Sequence, residues 1–430
     1  MLARLDLRGV PLADLSGRLP RPTVGGDGPT EAVRAILADV RVRGDEAVLD
    51  LTERFDGVRL ATTLVDPGEV AAALEHIDAA LASAMRLAHA NISAHHKAQL
   101  RPDTRHERDG LVLRDLVRPV DRAGCYVPGG RATYPSTVLM TATIAKVAGV
   151  PEVVVVCPPG KDGKIPMATL AACAVAGVDE VYAVGGAQAI GALAYGTKTI
   201  QPVDVIVGPG NVYVAVAKRE VAGAGLVGVP SSFAGPSEVV VIADDLTPPE
   251  WAAIDVLVQA EHGPDGLAWL ISWSDAALDS ICAALDSLLA DQPRKADIEA
   301  TLADGGHAVL CDSPAQAMAV ANLIAPEHLE LMVADPEALL PLVRHAGAVF
   351  TGHYSPASLG DYLAGPSHVL PTFGSARYSS ALRVEDFQKV VHVVSADGPT
   401  FERLAPHIAA FATAEGLPAH ARSATIRAPR

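Results

Sequence analysis

Val153-Val154-Val155-Val156-Cys157, followed by Val181-Tyr182-Ala183-Val184 and Val203-Asp204-Val205-Ile206-Val207, decides the fold class. Each run is short, rich in β-branched residues and separated from the next by a helix-length segment. Runs without a polar phase are buried on both faces, and strands alternating with helices argue a parallel sheet wound with right-handed crossovers. Gly129-Gly130, Gly185-Gly186 and Gly208-Pro209-Gly210 each fall between a strand and the following helix, where open α/β sheets take ligands. A nucleotide is the natural guest. The standard dinucleotide fingerprint is absent, because Gly208-Pro209-Gly210-Asn211-Val212-Tyr213 lacks its third glycine, and glycine turns alone suit plain βα geometry equally well.

The same rhythm returns beyond Ser237, with strands expected at Val239 to Ala243, Ala308 to Cys311, Leu329 to Val333 and Ala348 to Phe350. Upstream, residues 1 to about 24 show no sustained period and read as a loosely structured arm. Thr30 to Phe55 and Pro67 to Gln99 carry apolar residues at helical intervals, and Asp109-Gly110 turns a hairpin. From about Ala381 strand alternation stops, and Pro399 to Glu415 reads as an exposed helix. The expectation is an α/β chain of two related doubly wound parallel-sheet units, 115–236 and 237–380. An N-terminal arm and helical region, 1–114, precedes them. A C-terminal helical tail, 381–430, has little core of its own and needs a surface to dock on, another subunit being one candidate.

At 430 residues the length suggests about two or three domains. Hydrophobic residues make up 50% but aromatics only 4%, so Ala, Val and Leu must build the cores. A net charge of −16 repels phosphate backbones and anionic lipid, which argues against nucleic acid and membrane as partners. Charges at Arg4, Asp6 and Arg8 interrupt any signal-peptide core, so the reading is cytoplasmic. Met167 to Val178, the longest apolar run, falls short of the roughly 18 residues a bilayer requires. The cysteines, Cys125, Cys157, Cys173, Cys282 and Cys311, form no CxxC pair, so a metal here would need N and O ligands.

Candidate chemistry collects in the second half. Thr247-Pro248-Pro249-Glu250 reads as a capping box, opening a helix from about Pro248 to His262 whose last turn sets Gln259 and His262 on one face. Glu327-His328 follows Pro326 on a short connection into a strand, an acid beside the side chain best matched to taking a proton at neutral pH. Asp361 and His368, then Glu415 and His420, fall at further helix ends.

Ordered motifs carry a resemblance across nearly the whole chain after the first twenty or so residues. They are Gln259-Ala260-Glu261-His262-Gly263-Pro264-Asp265, Phe233-Ala234-Gly235-Pro236-Ser237-Glu238, Val184-Gly185-Gly186-Ala187-Gln188-Ala189, Gly208-Pro209-Gly210-Asn211, Pro326-Glu327-His328-Leu329 and His368-Val369-Leu370-Pro371-Thr372. Together they resemble the histidinol dehydrogenase family. That resemblance implies an aldehyde-dehydrogenase-like fold, an intertwined homodimer, and oxidation of L-histidinol through L-histidinaldehyde to L-histidine, the last steps of histidine biosynthesis. It implies two NAD molecules used in turn and one zinc per site, held by Gln259, His262, Asp361 and His420. His328 resembles the family's general base and Glu327 the group that activates water for the second oxidation. Ser237, His368 and Glu415 resemble substrate contacts, and Tyr126, Gln188 and Asn211 occupy NAD-contact positions. A relative acting on a sulfonated diol would want Arg or Lys where Glu415 stands. A zinc hydrolase would leave the first α/β unit without a role, and in a non-enzymatic zinc-stabilised scaffold chelation would unfold the protein rather than merely silence it.

Overall fold

The computed structural model describes residues 2–20, 29–130, 132–230, 237–261 and 266–427. In chain order the strands are β1 (Ala3–Asp6), β2 (Thr104–Arg108), β3 (Leu111–Pro119), β4 (Arg122–Tyr126), β5 (Glu152–Cys157), β6 (Glu180–Ala183), β7 (Val205–Val207), β8 (Glu238–Ala243), β9 (Leu267–Ser272), β10 (Gly306–Leu310), β11 (His328–Met332), β12 (Ala348–Thr351) and β13 (Gln388–Ala396). Two sheets are wholly parallel: a four-stranded one in the order β6-β5-β4-β7, and a six-stranded one in the order β1-β10-β9-β8-β11-β12. An antiparallel ribbon, β13-β3-β2, stands apart from both.

Each parallel sheet has helices on both faces, and the pleat explains the unbroken valine runs. Along β5, Val153 and Val155 enter the core beneath helices Pro135–Ala148 and Met167–Ala176, whereas Val154 and Val156 enter the core beneath Thr30–Arg43 and Gly186–Tyr195. In β8, Val239 and Val241 face helices Pro249–Ala260 and Asp275–Ala290, while Val240 and Ile242 face helix Pro314–Ile324. The Thr30–Arg43 and Asp45–Asp56 helices therefore belong structurally to the first sheet's outer layer.

Three expectations are corrected. Ala3–Asp6 is an edge strand paired parallel to β10, with Leu7 and Leu15 buried behind it, so the described part of the amino-terminal arm is built into the second sheet. Strand structure does not stop at Ala381, since β13 pairs with β3 along its whole length. Thr247 caps nothing: its hydroxyl donates to the Met332 carbonyl, and helix Pro249–Ala260 starts without a side-chain cap. The expected hairpin is present, with Asp109 and Gly110 both at positive φ as a tight two-residue turn requires.

Helices Gly398–Ala414 and Pro418–Thr425 pack on each other, and Thr400 anchors them to the hairpin by donating to the Asp109 carbonyl at 3.0 Å. Ile408, Phe411, Leu417 and Ile426 remain exposed on this tail. No helix among the described residues is long and apolar enough to cross a membrane.

Candidate active site

Helix Pro314–Ile324 ends at Ala325, whose φ of 53° turns the chain sharply, and Pro326 then directs Glu327 and His328 into β11. β11 lies between β8 and β12, so the backbone of His328 is fixed from both sides. Glu327 Oε2 accepts the Glu238 N–H at 3.0 Å and also takes the Ser237 hydroxyl. His328 Nδ1 donates to the Glu238 carbonyl at 3.2 Å, which leaves Nε2 as the nitrogen available for proton transfer. Nε2 points at Asp361 Oδ1, 3.5 Å away, and the imidazole stacks on Phe350.

The electrostatics of this group are mutual. Burial pulls His328 down, but the Glu327 carboxylate and then Asp361 more than offset it and push the imidazole up to about 9. Burial pushes Glu327 up as well, with His328 opposing. Glu238, buried next to Glu327, is pushed up to about 8 by burial first and Glu327 second, and its Oε1 accepts the Phe373 N–H at 3.1 Å.

Helix Pro249–Ala260 places Gln259 in its last turn, buried, with Nε2 unpartnered among the described residues. A buried orphaned amide costs about 1–3 kcal/mol, which a ligand would offset. His262 lies outside the described residues. Helix Ala357–Tyr362 carries Asp361, and His368 Nδ1 donates to the Asp361 carbonyl at 3.0 Å. His368 Nε2 then accepts from the Thr137 hydroxyl at 3.3 Å, which ties this unit to the first sheet's helix Pro135–Ala148. Within one chain Glu415 and His420 stay exposed on the tail. Among the described residues no three of His, Cys, Asp or Glu are grouped to hold a metal.

A cavity of about 800 Å³ opens at the carboxyl ends of the four-stranded sheet. Tyr126, Gln188 and Asn211 all line it, alongside Gly129, Gly130 and Gly186. The Tyr126 hydroxyl accepts the Gly186 N–H at 3.1 Å at the start of helix Gly186–Tyr195. Asn211 caps helix Val212–Gly223 by accepting the Tyr213 and Val214 N–H groups at 3.0 and 3.2 Å. A Cβ at Gly208 would lie 2.1 Å from the Tyr126 carbonyl oxygen, so only glycine lets the end of β7 lie against β4. Asp56 Oδ2, Thr169 Oγ1 and Gln188 Oε1 are buried without partners among the described residues, and Asp56, Thr169 and Gln188 all line the cavity.

Sequence reading missed several parts of this arrangement. Lys218, fully buried, donates from Nζ to the Gly208 carbonyl just past the end of β7, and burial brings it down to about 7. A lysine in the apolar phase of helix Val212–Gly223 was a visible signal. Thr137 and Phe350 gave none, since both look like ordinary core residues. The site in the second unit also lies at the amino ends of β8 and β11, opposite to the edge that the general rule for open sheets favours.

A nucleotide-sized cleft in one unit, joined through Thr137 and His368 to a buried imidazole between carboxylates in the other, has the parts of a nucleotide-linked oxidoreductase. The chain belongs to the histidinol dehydrogenase family, whose model matches residues 20–428. The histidinol dehydrogenase of Pseudomonas aeruginosa is 48% identical over 94% of this chain and 92% of its own length. That of Bacillus subtilis is 46% identical over 94% of this chain and 95% of its own. The crystal structure of histidinol dehydrogenase from Elizabethkingia anophelis superimposes with a TM-score of 0.94 at 33% identity, covering 99% of this chain and 98% of that one. The protein is an enzyme, an NAD-dependent oxidoreductase that performs dehydrogenation.

Proposed function

We propose that the enzyme oxidises L-histidinol to L-histidine in two NAD-linked steps, with L-histidinaldehyde between them, at a zinc-containing site shared by two subunits of a cytoplasmic homodimer. The observation that carries this reading is the buried His328, held by Nδ1 so that Nε2 faces Asp361. Gln259, His262, Asp361 and the partner subunit's His420 supply an N2O2 donor set that suits zinc and leaves room for the substrate's imidazole and amine. Zinc there would orient the carbinol carbon, and its charge on Asp361 would weaken the hold that keeps His328 protonated.

His328 Nε2 takes the alcohol proton as a hydride passes from the carbinol carbon to the nicotinamide. Its imidazole releases that proton to solvent, so the same nitrogen can accept the hydroxyl proton of the hydrated aldehyde in the second oxidation. Glu327, oriented by the Glu238 N–H and the Ser237 hydroxyl, removes a proton from the water that adds to the aldehyde. The hydrated carbon then gives up a second hydride, so each histidinol yields four electrons and two NADH. Ser237, His368 and the partner subunit's Glu415 contact the substrate, the last matching its cationic amine. NAD occupies the cleft of Tyr126, Gln188 and Asn211. The unpartnered atoms of Asp56, Thr169 and Gln188 there suit ribose hydroxyls and the carboxamide.

The direct test incubates the purified enzyme with L-histidinol and NAD, with and without a chelator. Two NADH per histidinol are expected, with turnover lost on chelation and restored by zinc. One NADH per substrate, or turnover indifferent to chelation, overturns the two-step or the zinc part respectively. Glu327→Gln keeps an acceptor for the Glu238 N–H, so the fold holds. Oxidation of added L-histidinaldehyde should drop about 10²- to 10⁴-fold while the first hydride transfer from L-histidinol stays close to normal. Equal loss in the two half-reactions, followed separately, removes Glu327 from the hydration step.

A further inference from the structure

We propose that Asp255 and Glu330 are positioning residues, a buried carboxyl pair that fixes Gln259, His328 and Asp361 relative to one another. The inference rests on the zinc reading given above. Each contact of the pair lies one structural repeat away from a site residue on a different element. Asp255 precedes Gln259 by one helical repeat on helix Pro249–Ala260, so both side chains share a face. Glu330 follows His328 by one strand repeat on β11, and both project to the same side of the sheet. Glu330 Oε1 accepts the Ala357 N–H at 2.8 Å, and Ala357 stands one repeat before Asp361 on helix Ala357–Tyr362.

The pair closes this triangle by hydrogen-bonding to itself. The Asp255 and Glu330 side chains are within hydrogen-bonding reach of each other, only 9% and 1% exposed, and Glu330 Oε2 has no other partner among the described residues. A bond between two carboxyl oxygens needs a proton, so one of the two is a carboxylic acid, and burial favours that neutral form. Packing does not call for acids here. Leu329 and Leu331 on the other face of β11 are core residues, and an aliphatic side chain would fill the space of Glu330 without a desolvation cost.

Helix Ala357–Tyr362 has little freedom to absorb a change. A Cβ at Gly360 would come within 2.5 Å of the Phe350 ring, so the helix sits directly on β12, and Phe350 in turn stacks on His328. Losing the Glu330 bond to Ala357 would therefore move Asp361 against His328 rather than loosen a remote loop. Gln259, one helical repeat beyond Asp255, is separately buried with its amide nitrogen unpartnered among the described residues, a donor left for a ligand's acceptor.

The test measures zinc affinity of the metal-stripped full-length enzyme by competition with a chromophoric chelator, with NAD binding as the internal control. Glu330→Leu should weaken zinc binding about 10- to 100-fold, the usual range for groups that orient metal ligands, with NAD binding unchanged. Glu330→Gln retains an acceptor for Ala357 and a donor for Asp255, and should bind zinc like the wild type. Asp255→Ala, which leaves Ala357 capped, should weaken zinc binding as well and serves if the leucine variant does not fold. Wild-type affinity in Glu330→Leu or in Asp255→Ala, or an equal loss in Glu330→Gln and Glu330→Leu, overturns the inference. A wild-type enzyme that takes up no zinc instead sinks the metal reading, and the pair's proposed role with it. If Asp361→Ala abolishes zinc uptake while Glu330→Leu keeps it, only the inference falls.

Discussion

His328→Asn is expected to fold, bind NAD and lose both hydride transfers by about 10²- to 10⁴-fold, the usual worth of a positioned general base. The asparagine amide can still donate to the Glu238 carbonyl that His328 Nδ1 now engages, so the amino end of β11 keeps its hydrogen bond. What disappears is the second nitrogen, the only one free to receive a proton. If one imidazole serves both oxidations, as proposed, the loss should be of similar size with L-histidinol and with L-histidinaldehyde. That pattern separates it from Glu327→Gln, which spares the first. Stopped-flow half-reactions together with a thermal unfolding curve would decide the matter. Turnover within about tenfold of wild type in a folded variant would exclude His328 as the base, since the smallest effect expected of one is about 10²-fold.

The parts of this enzyme that sequence made legible were those written in local pattern. Val153 to Cys157 shows a buried parallel strand because five consecutive residues are apolar, and β5 occupies that stretch. Gly208-Pro209-Gly210 marks a strand end because a side chain at Gly208 would strike the Tyr126 carbonyl, and β7 does end just before it, with Asn211 beyond it on the cleft wall. β1 and β13 escaped notice for a different reason. Their partners β10 and β3 lie far off in the chain, and in β13 the doubled valines, Val390-Val391 and Val393-Val394, break any two-residue alternation. Glu327-His328 stood out as an acid beside a base. Glu330 did not, although a glutamate flanked by Leu329 and Leu331 in a central strand is a stronger departure from pattern. Its meaning depends on Asp255 and Ala357, and only the folded chain brings those two together.

Two inactive variants, His420→Ala and His328→Ala, should restore each other when mixed. His420 lies on helix Pro418–Thr425, exposed, on a tail anchored to the hairpin through Thr400. Exposed Phe411, Ile408, Leu417 and Ile426 on that tail are apolar surface that a second subunit would cover. If a subunit sends His420 into its partner's site while keeping His328 in its own, a heterodimer has one site with both residues intact and one site with both lesions. Co-refolding equal amounts with random pairing makes about half the dimers heterodimers, and so returns about a quarter of the wild-type sites. Activity should rise from near zero toward that fraction as subunits exchange, and zinc content should recover in step. Demonstrated mixing without regained activity would place His420 and His328 in the same subunit. The exposed tail would then have to swing onto its own chain, against the anchoring of helix Gly398–Ala414 to Asp109 by Thr400 and Arg403.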